Sequence, residues 1–450
     1  MGKWLSCFKA YDVRGKVPEE LNIEVAYNIG RAYADQIGSQ SVCVGYDIRL
    51  SGPELADALM NGLQDAGVDV IDLGLVGTEM VYFATSHYGY EGGIMITASH
   101  NPPEYNGMKM VRSQSRPISS DTGLLEIEKH AFEKKWVRHG KGAHLTKNIY
   151  SDFKKHLLKF VDPKKLKPLR ILANAGNGSA GLAVQILKEE LPLQIEPMLF
   201  EPDGKFPNGV PNPILEESRK LTFNKISQSH YDFSAAWDGD YDRCFFFDHE
   251  GNFIEGYYIV GLLAQSILMK QPGQAIVYDP RLTWNTIDIV QKYQGRPVIC
   301  KSGHAFIKEK MREVDAVYGG EMSAHHYFRQ NAYCDSGMIP FLMVAELLSV
   351  TGSTLKELVN DRINLYPCSG EINSHVEDVP ATLVQVENLY SEGKIDKIDG
   401  LSVEFDQWRF NLRGSNTEPV IRLNVESKQD KNLMEEKTAE LLSIINKKLP

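Results

Sequence analysis

The chain is poor in the features that usually classify a sequence quickly. Its six cysteines, Cys7, Cys43, Cys244, Cys300, Cys334 and Cys368, are scattered and form no C-x-x-C pair. That argues against a disulfide framework and against a zinc site, and for a reduced, cytoplasmic setting. Positive charge is in deficit: 49 Lys and Arg stand against 59 Asp and Glu, a formal net charge of −10. Such a balance disfavours a nucleic-acid binder or a membrane-surface protein, but leaves room for a local basic pocket that takes an anionic small molecule. No apolar run approaches the ~18 residues of a membrane span. The opening MGKWLSCFKAYDVRG lacks an apolar signal core. Its first six residues fit the acylation pattern M-G-x-x-x-S; because Cys7 onward already reads as folded domain, we take the match as chance. The hydrolase elbow G-x-S-x-G is missing as well, so a reactive serine here has to be something other than the nucleophile of an α/β-hydrolase.

What is present is ordinary in bulk and unusual in order. With 450 residues, 42% hydrophobic and 24% charged, the chain is too long for one core and implies two to four domains. A pattern recurs three times. A β-branched run ends in a polar loop and enters a helix pattern in SVCVGYDIRLSGPELADALMNGL, RILANAGNGSAGLAVQIL and QAIVYDPRLTWNTIDIVQKY. A second run follows each: DVIDLGLVGTEM, LQIEPMLFEPDGKF and PVICKSGHAFIKEKM. Then comes a third: GGIMITASHNP, DFSAAWDGDYDR and DAVYGGEMSAHHYF. Strands alternating with helices of this length predict parallel α/β units, and the repetition predicts three related domains. The tail, with LSVEFDQWRFNLRGSNTEPVIRLNVES and a closing helix over NLMEEKTAELLSIINKKL, predicts a smaller α+β domain. The expected architecture is α/β: three related α/β domains with mixed, mainly parallel sheets, plus a C-terminal α+β domain, around a central cleft. The expected boundaries are 1–150, 151–252, 253–365 and 366–450. Ligands of open α/β sheets sit beyond the carboxyl ends of the strands, so the three polar loops after the third strands are the first place to look for chemistry.

Each of those loops admits a functional and an ordinary reading. DGDYDR sets Asp238, Asp240 and Asp242 at alternate positions. Three neighbouring carboxylates repel unless a cation sits among them, and an all-oxygen set suits Mg²⁺. An EF-hand fails, because position six is Arg243 and position twelve is His249. An aspartyl-phosphate nucleophile is permitted by the spacing, and a solvated acidic turn is the ordinary alternative. GGEMSAHHYF offers Glu321, Ser323 and His325 at alternate positions, which on an extended segment would point to one side and grip sugar hydroxyls; a satisfied polar turn fits equally well. RGSNTEP brings Arg413, Ser415, Asn416 and Thr417 together, the equipment of a phosphate cradle, or an Asn-rich turn. GNGSAG, Gly176 to Gly181, fits G-x-G-x-x-G with Glu201 further on, so a nicotinamide-dependent oxidoreductase has to be carried as a rival; the same glycines also suit a tight strand-to-helix turn. His304 reads as an acid/base group, a phosphate contact or a capping histidine. Arg14 and Lys109 are ambiguous taken singly.

Taken together, the four loops resemble those of the α-D-phosphohexomutase superfamily, which carries T-A-S-H-N-P, D-G-D-x-D-R, G-E-M-S-x-H and R-x-S-N-T-E-P in this order across four domains. CFKAYDVRGK, GGEMSAHHYFR and WRFNLRGSNTEPV are similar to the bacterial phosphomannomutase branch of the phosphomannomutase/phosphoglucomutase family. The resemblance implies an isomerase that interconverts mannose 6-phosphate and mannose 1-phosphate through a phosphoserine and a hexose 1,6-bisphosphate, feeding GDP-mannose and polysaccharide synthesis. A phosphoglucomutase or dual-specificity phosphohexomutase is the alternative. It implies Ser99 as the phosphate carrier; Ser99 with Asp238, Asp240 and Asp242 as Mg²⁺ ligands; and Arg243, His100, Lys109 and His304 as charge and proton-transfer groups. Arg14, Glu321, Ser323, His325, Arg413, Ser415, Asn416 and Thr417 are implied to hold substrate. The implied cofactors are Mg²⁺ and a hexose 1,6-bisphosphate activator. The implied partners are hexose phosphates alone, with neither nucleic acid nor membrane, in a monomer or homodimer. Lys109, His100 and His304 remain open as proton acceptor. A non-catalytic sugar-phosphate sensor is the rival outside enzymology, and it would tolerate a damaged serine or metal loop.

Overall fold

The computed structural model describes residues 4–414 and 420–446. The chain divides into two compact units, residues 1–253 with 325–354, and residues 254–324 with 355–450.

In the first unit the opening repeat builds a mixed sheet. Its central strand, Ser41–Tyr46, pairs in parallel with Asp69–Leu75 on one side and Gly92–Ile96 on the other. Tyr105–Arg112 then returns antiparallel to Gly92–Ile96. The second repeat has the same plan: Arg170–Asn174 lies between Gln194–Met198 and Phe233–Trp237, both parallel to it, and Cys244–Phe247 returns antiparallel. Gly92–Ile96 and Phe233–Trp237 are buried along their whole length, which is why they read as continuous apolar runs. In the second unit the third repeat sets Ala275–Tyr278 between Arg296–Ile299 and Tyr318–Gly320, again parallel. Third strand, first strand, second strand is thus the spatial order in all three repeats, and it delivers the first and third loops side by side.

The hairpin His326–Phe328 with Cys334–Asp335, and the helix Met338–Thr351, belong to the first unit. The tail is larger than the two strands legible in its sequence. Five antiparallel strands run in the order Ile372–His375, Val420–Ser427, Trp408–Gly414, Leu401–Glu404, Lys394–Asp396. Ile372–His375 alternates half-buried and exposed and Lys394–Asp396 is exposed throughout, so both edge strands carry little apolar signal. Phe410, Leu412, Ile421, Leu423 and Val425 form the core of this sheet with Met434, Leu441 and Ile445 of the helix Lys431–Ile445. No single helix among the described residues is long and apolar enough to cross a membrane.

Candidate active site

In the first unit, Ser99 sits in the turn that joins Gly92–Ile96 to Tyr105–Arg112. Its φ of 46° lies in the left-handed region, a conformation that costs a non-glycine residue about 1–3 kcal/mol and persists only when the surroundings enforce it. Here they do. The Ser99 amide donates to Thr97 Oγ1 at 2.8 Å, and the Thr97 hydroxyl donates to Asp47 at 2.6 Å. The Ser99 hydroxyl donates to Asp238 Oδ2 at 2.8 Å and lies 3.1 Å from His100 Nδ1.

Asp238, Asp240 and Asp242 follow the strand Phe233–Trp237. All three are almost fully buried, and one oxygen from each lies within 4.8 Å of the others. The turn is pressed against the serine loop: a Cβ on Gly239 would stand 2.5 Å from the Ser99 carbonyl oxygen, so only glycine fits. Lys109 donates to Asp240 at 2.7 Å and also binds Asp242. Burial works against its charge, but Asp240, Asp242 and Asp238 outweigh burial and hold its pKa above the ordinary lysine value. Arg243 binds Asp238 through Nε at 2.8 Å and Nη2 at 2.7 Å. Burial, with Asp242 and Asp240 against the countering Arg243, raises the Asp238 pKa to about 7. Arg243 Nη2 also donates to His100 Nδ1, 2.5 Å away. Burial, then Arg243 and Arg14, push the His100 pKa well below its usual value, so its imidazole is neutral and accepts at Nδ1. Asp240 accepts from Thr78 and Lys109 through Oδ2, while its buried Oδ1 has no hydrogen-bond partner among the described residues. An all-oxygen, three-carboxylate pocket with an orphaned buried oxygen fits a hard divalent cation, and the two basic side chains partly fill the need for positive charge.

Two further residue groups of the sequence reading fall in this unit. Arg14 turns to the serine loop: Nη1 donates to the Ala98 carbonyl at 2.8 Å and to Asn101 at 2.6 Å, with Asp12 at 2.5 Å from Nη2. The glycine loop meets the aspartate loop. The Ser179 amide and hydroxyl donate to the Gly239 carbonyl at 3.2 and 3.3 Å, and a Cβ on Gly178 would come within 2.8 Å of that oxygen. The glycines here permit close backbone approach between the two loops.

In the second unit, Glu321 Oε1 accepts from the Gly303 amide at 2.9 Å, beside His304 at the first turn of the helix His304–Val314. Arg281 forms a fork on Asp279 at 2.9 Å through both Nε and Nη2. It also reaches Ser323 at 3.3 Å, Glu321 at 3.5 Å and Glu371 at 3.4 Å. Arg413 pairs with Glu371 at 3.2 Å and with Asp399 at 3.6 Å, and Arg422 lies 3.6 Å from the other Glu371 oxygen. Burial favours the neutral carboxyl, but Arg281, Arg413 and Arg422 overcome it and lower the Glu371 pKa. Three guanidinium groups thus converge on the Glu371 carboxylate, in an ion-pair cluster that also holds Asp279, Glu321 and Asp399; guanidinium forks are the donors a phosphate takes. Ser415, Asn416 and Thr417 lie outside the described residues.

The extended reading of GGEMSAHHYF does not hold. Residues 322–324 form a turn, the Ala324 amide donates to the Glu321 carbonyl at 3.0 Å, and Ala324 has a φ of 69°. Glu321 and Ser323 stay in the second unit. His325 belongs to the first, 3.8 Å from Asp242 and bridged through its backbone to Arg243.

Asp47, Arg49, Asp279, Arg281 and Glu371 escaped the reading of the sequence. A signal was available for four of them. YDIRL and YDPRL stand at the same place in the first and third repeats, where the first strand ends.

Four domain models of phosphoglucomutase/phosphomannomutase match the chain: α/β/α domain I over residues 6–138, domain II over 148–251, domain III over 255–366 and the C-terminal domain over 371–443. A Xanthomonas campestris protein named phosphohexose mutases is 54% identical over 98% of this chain and 99% of its own. A phosphomannomutase of Escherichia coli K12 is 51% identical over 99% of this chain and its full length. Among solved structures, a phosphoglucomutase/phosphomannomutase family protein from Burkholderia thailandensis superposes with a TM-score of 0.88 at 31% identity, covering 98% of both chains. With all four domain models in order along the chain and relatives half identical over its whole length, the protein belongs to the phosphoglucomutase/phosphomannomutase family, and it is a mutase with that family's α/β fold.

Proposed function

We propose that this mutase interconverts mannose 6-phosphate and mannose 1-phosphate through a phosphoserine at Ser99 and a hexose 1,6-bisphosphate. The observation that carries the reading is the seat of Ser99: its hydroxyl touches Asp238 at 2.8 Å, beside three carboxylates close enough together to hold a cation. Phosphoryl transfer is largely a matter of positioning and charge neutralisation. The bond from Ser99 Oγ to phosphorus breaks as one forms from phosphorus to a sugar hydroxyl oxygen, and the hydroxyl proton leaves to a base. The bisphosphate then turns end over end, and the reverse step returns a phosphoryl group from its other end to Ser99.

Asp238, Asp240 and Asp242 would hold Mg²⁺, which supplies positive charge to the group in flight and to the serine oxygen as it leaves. Arg243 and Lys109 add fixed positive charge beside those carboxylates. Protonated Lys109 and neutral His100 divide two tasks: the first is a donor, the second an acceptor. Glu321 and Ser323 would grip sugar hydroxyls, with His304 next to them. Arg413, beside Arg281 and Arg422, would clamp the phosphate that is not reacting, followed in the chain by Ser415, Asn416 and Thr417. That clamp has to accept a phosphate at either end of the sugar. Hexose 1,6-bisphosphate would act as activator by recharging Ser99. A cytoplasmic enzyme that supplies mannose 1-phosphate for GDP-mannose and polysaccharide synthesis fits this chemistry.

The relative named phosphohexose mutases, at 54% identity, supports a second reading in which glucose phosphates are accepted as well; the two sugars differ only at C2. Turnover of mannose 1-phosphate against glucose 1-phosphate, with a bisphosphate activator and Mg²⁺, separates the two. A strong preference for the glucose substrate would overturn the first.

A further inference from the structure

The first and third repeats end their first strands in the same three letters around one variable position, Asp47-Ile48-Arg49-Leu50 and Asp279-Pro280-Arg281-Leu282. The backbone is alike: the arginine amide donates to Oδ1 of the aspartate at 3.0 Å in both. Each aspartate also holds the loop after the third strand of its own repeat, Asp47 through the Thr97 hydroxyl and Asp279 through the Met322 amide at 2.9 Å. The arginine side chains then part company. Arg281 faces Ser323, Glu321 and Glu371. Arg49, 1% exposed, makes its side-chain hydrogen bonds to backbone.

Those bonds are unusual in number. Arg49 Nη1 donates to the carbonyls of Pro102 at 2.7 Å and Tyr105 at 2.8 Å. Nη2 donates to the carbonyls of Ser99 at 2.9 Å and Asn101 at 2.5 Å. One planar fork therefore satisfies four carbonyls of a single loop. The loop needs this, because S-H-N-P-P contains two prolines without an N–H and cannot form a regular ladder of its own. The guanidinium is braced from outside by the Phe206 ring, 5.2 Å away, and its charge is matched by Asp47 at 3.6 Å.

We propose that Arg49 is a positioning residue for phosphoryl transfer: it gathers the serine loop and keeps Ser99 in its left-handed conformation, aimed at Asp238. The assignment rests on the reading of Ser99 as the phosphate carrier. Lysine cannot replace the fork, since a single ammonium with three donors cannot reach four carbonyls spread over one plane.

The test is Arg49→Lys in the full-length protein, read on two scales, with Arg281→Lys as the matched control. Hydrogen exchange followed by mass spectrometry reports the loop without reference to activity; the expected result is faster exchange in peptides spanning residues 97–107 in Arg49→Lys and no change there in the control. Steady-state kinetics on mannose 1-phosphate should show kcat reduced about tenfold to a hundredfold, as for a slight misplacement of a reacting group, with KM within about twofold of wild type. Unchanged exchange in 97–107, or a raised KM with kcat intact, overturns the assignment. Should Arg49→Lys fail to fold, Arg49→Gln, whose single amide cannot serve all four carbonyls and which leaves the Asp47–Thr97 hydrogen bond in place, is measured in the same two ways, and the same results support or overturn the assignment. Failure of the wild type to turn over any hexose phosphate sinks the functional reading, whereas the exchange result bears on the loop alone.

Discussion

The Ser99 hydroxyl and the Asp238 carboxylate, 139 residues apart in sequence, share a 2.8 Å hydrogen bond. Their proximity sets a condition on the chemistry. A phosphoryl group on Ser99 brings a charge of about −1.5 to −2 near neutral pH to a spot already ringed by three carboxylates. Lys109 and Arg243 would offset part of that, and a divalent cation held by the carboxylates would offset more.

It follows that intact-protein mass should reveal a fraction of molecules carrying one phosphate, mapped by fragmentation to Ser99. In Ser99→Ala that fraction vanishes and turnover falls by at least about a thousandfold, as when a covalent nucleophile is removed. Stable phosphate on Asp238 instead would refute the serine scheme.

Asp240→Asn removes one of the three carboxylates proposed to hold the cation, and an anion of the Lys109 pair. The Mg²⁺ concentration giving half-maximal rate should rise, and kcat should drop about a hundredfold or more, the scale of losing electrostatic stabilisation at a reacting centre. Full activity of the wild type in EDTA would argue against any role for the cluster in holding metal.

Arg413→Ala should raise KM for mannose 1-phosphate and mannose 6-phosphate together, each by roughly tenfold to a hundredfold, about 1.4–2.8 kcal/mol of binding. An effect on only one of the two would contradict a clamp that serves both ends of a turning bisphosphate.

Glu371 provides a pH test whose sign follows from its surroundings. Arg281, Arg413 and Arg422 set its folded-state pKa below the ordinary glutamate value of 4.5. A lowered folded pKa means that its stabilising contribution is complete above the unfolded value and disappears as the pH falls through the folded one. Thermal melts of wild type and Glu371→Gln should therefore differ by a constant amount above about pH 5.5 and converge as the pH is lowered. A gap that widens on acidification would contradict the assigned environment.

Gly178→Ala forces a Cβ to within 2.8 Å of the Gly239 carbonyl oxygen. The metal loop must shift, and the expected result is a higher Mg²⁺ requirement with a stability loss of about 1–3 kcal/mol, the range for overpacking. A fluorescence titration should detect no nicotinamide dinucleotide binding in either form. Binding by the wild type, lost in the variant, would revive the dinucleotide reading of GNGSAG.

Much of this protein is legible in its letters, for physical reasons that can be named. Fully buried parallel strands demand unbroken apolar runs, and GGIMI and FSAAW are such runs, so the three repeats stand out. Neighbouring carboxylates repel unless positive charge sits among them, so DGDYDR announces cationic company from its spacing; in the fold Lys109 and Arg243 are part of it. The edge strands Ile372–His375 and Lys394–Asp396 are not legible, since an exposed edge carries no periodic apolar signal. The extended reading of the sugar loop fails because Ala324 turns the chain with a positive φ, which no alternation of residue types announces.

Residue order thus sets which groups are chemically available: a serine, three aspartates, a basic tail loop, and the succession in which the repeats present them. What each group faces is settled only when the chain folds. Whether a buried arginine grips a loop, as Arg49 does, or waits among carboxylates, as Arg281 does, depends on side-chain direction and on partners far along the chain. Asp-x-Arg-Leu is the same in both places; the carbonyls that surround one guanidinium and the carboxylates that surround the other are supplied by the fold.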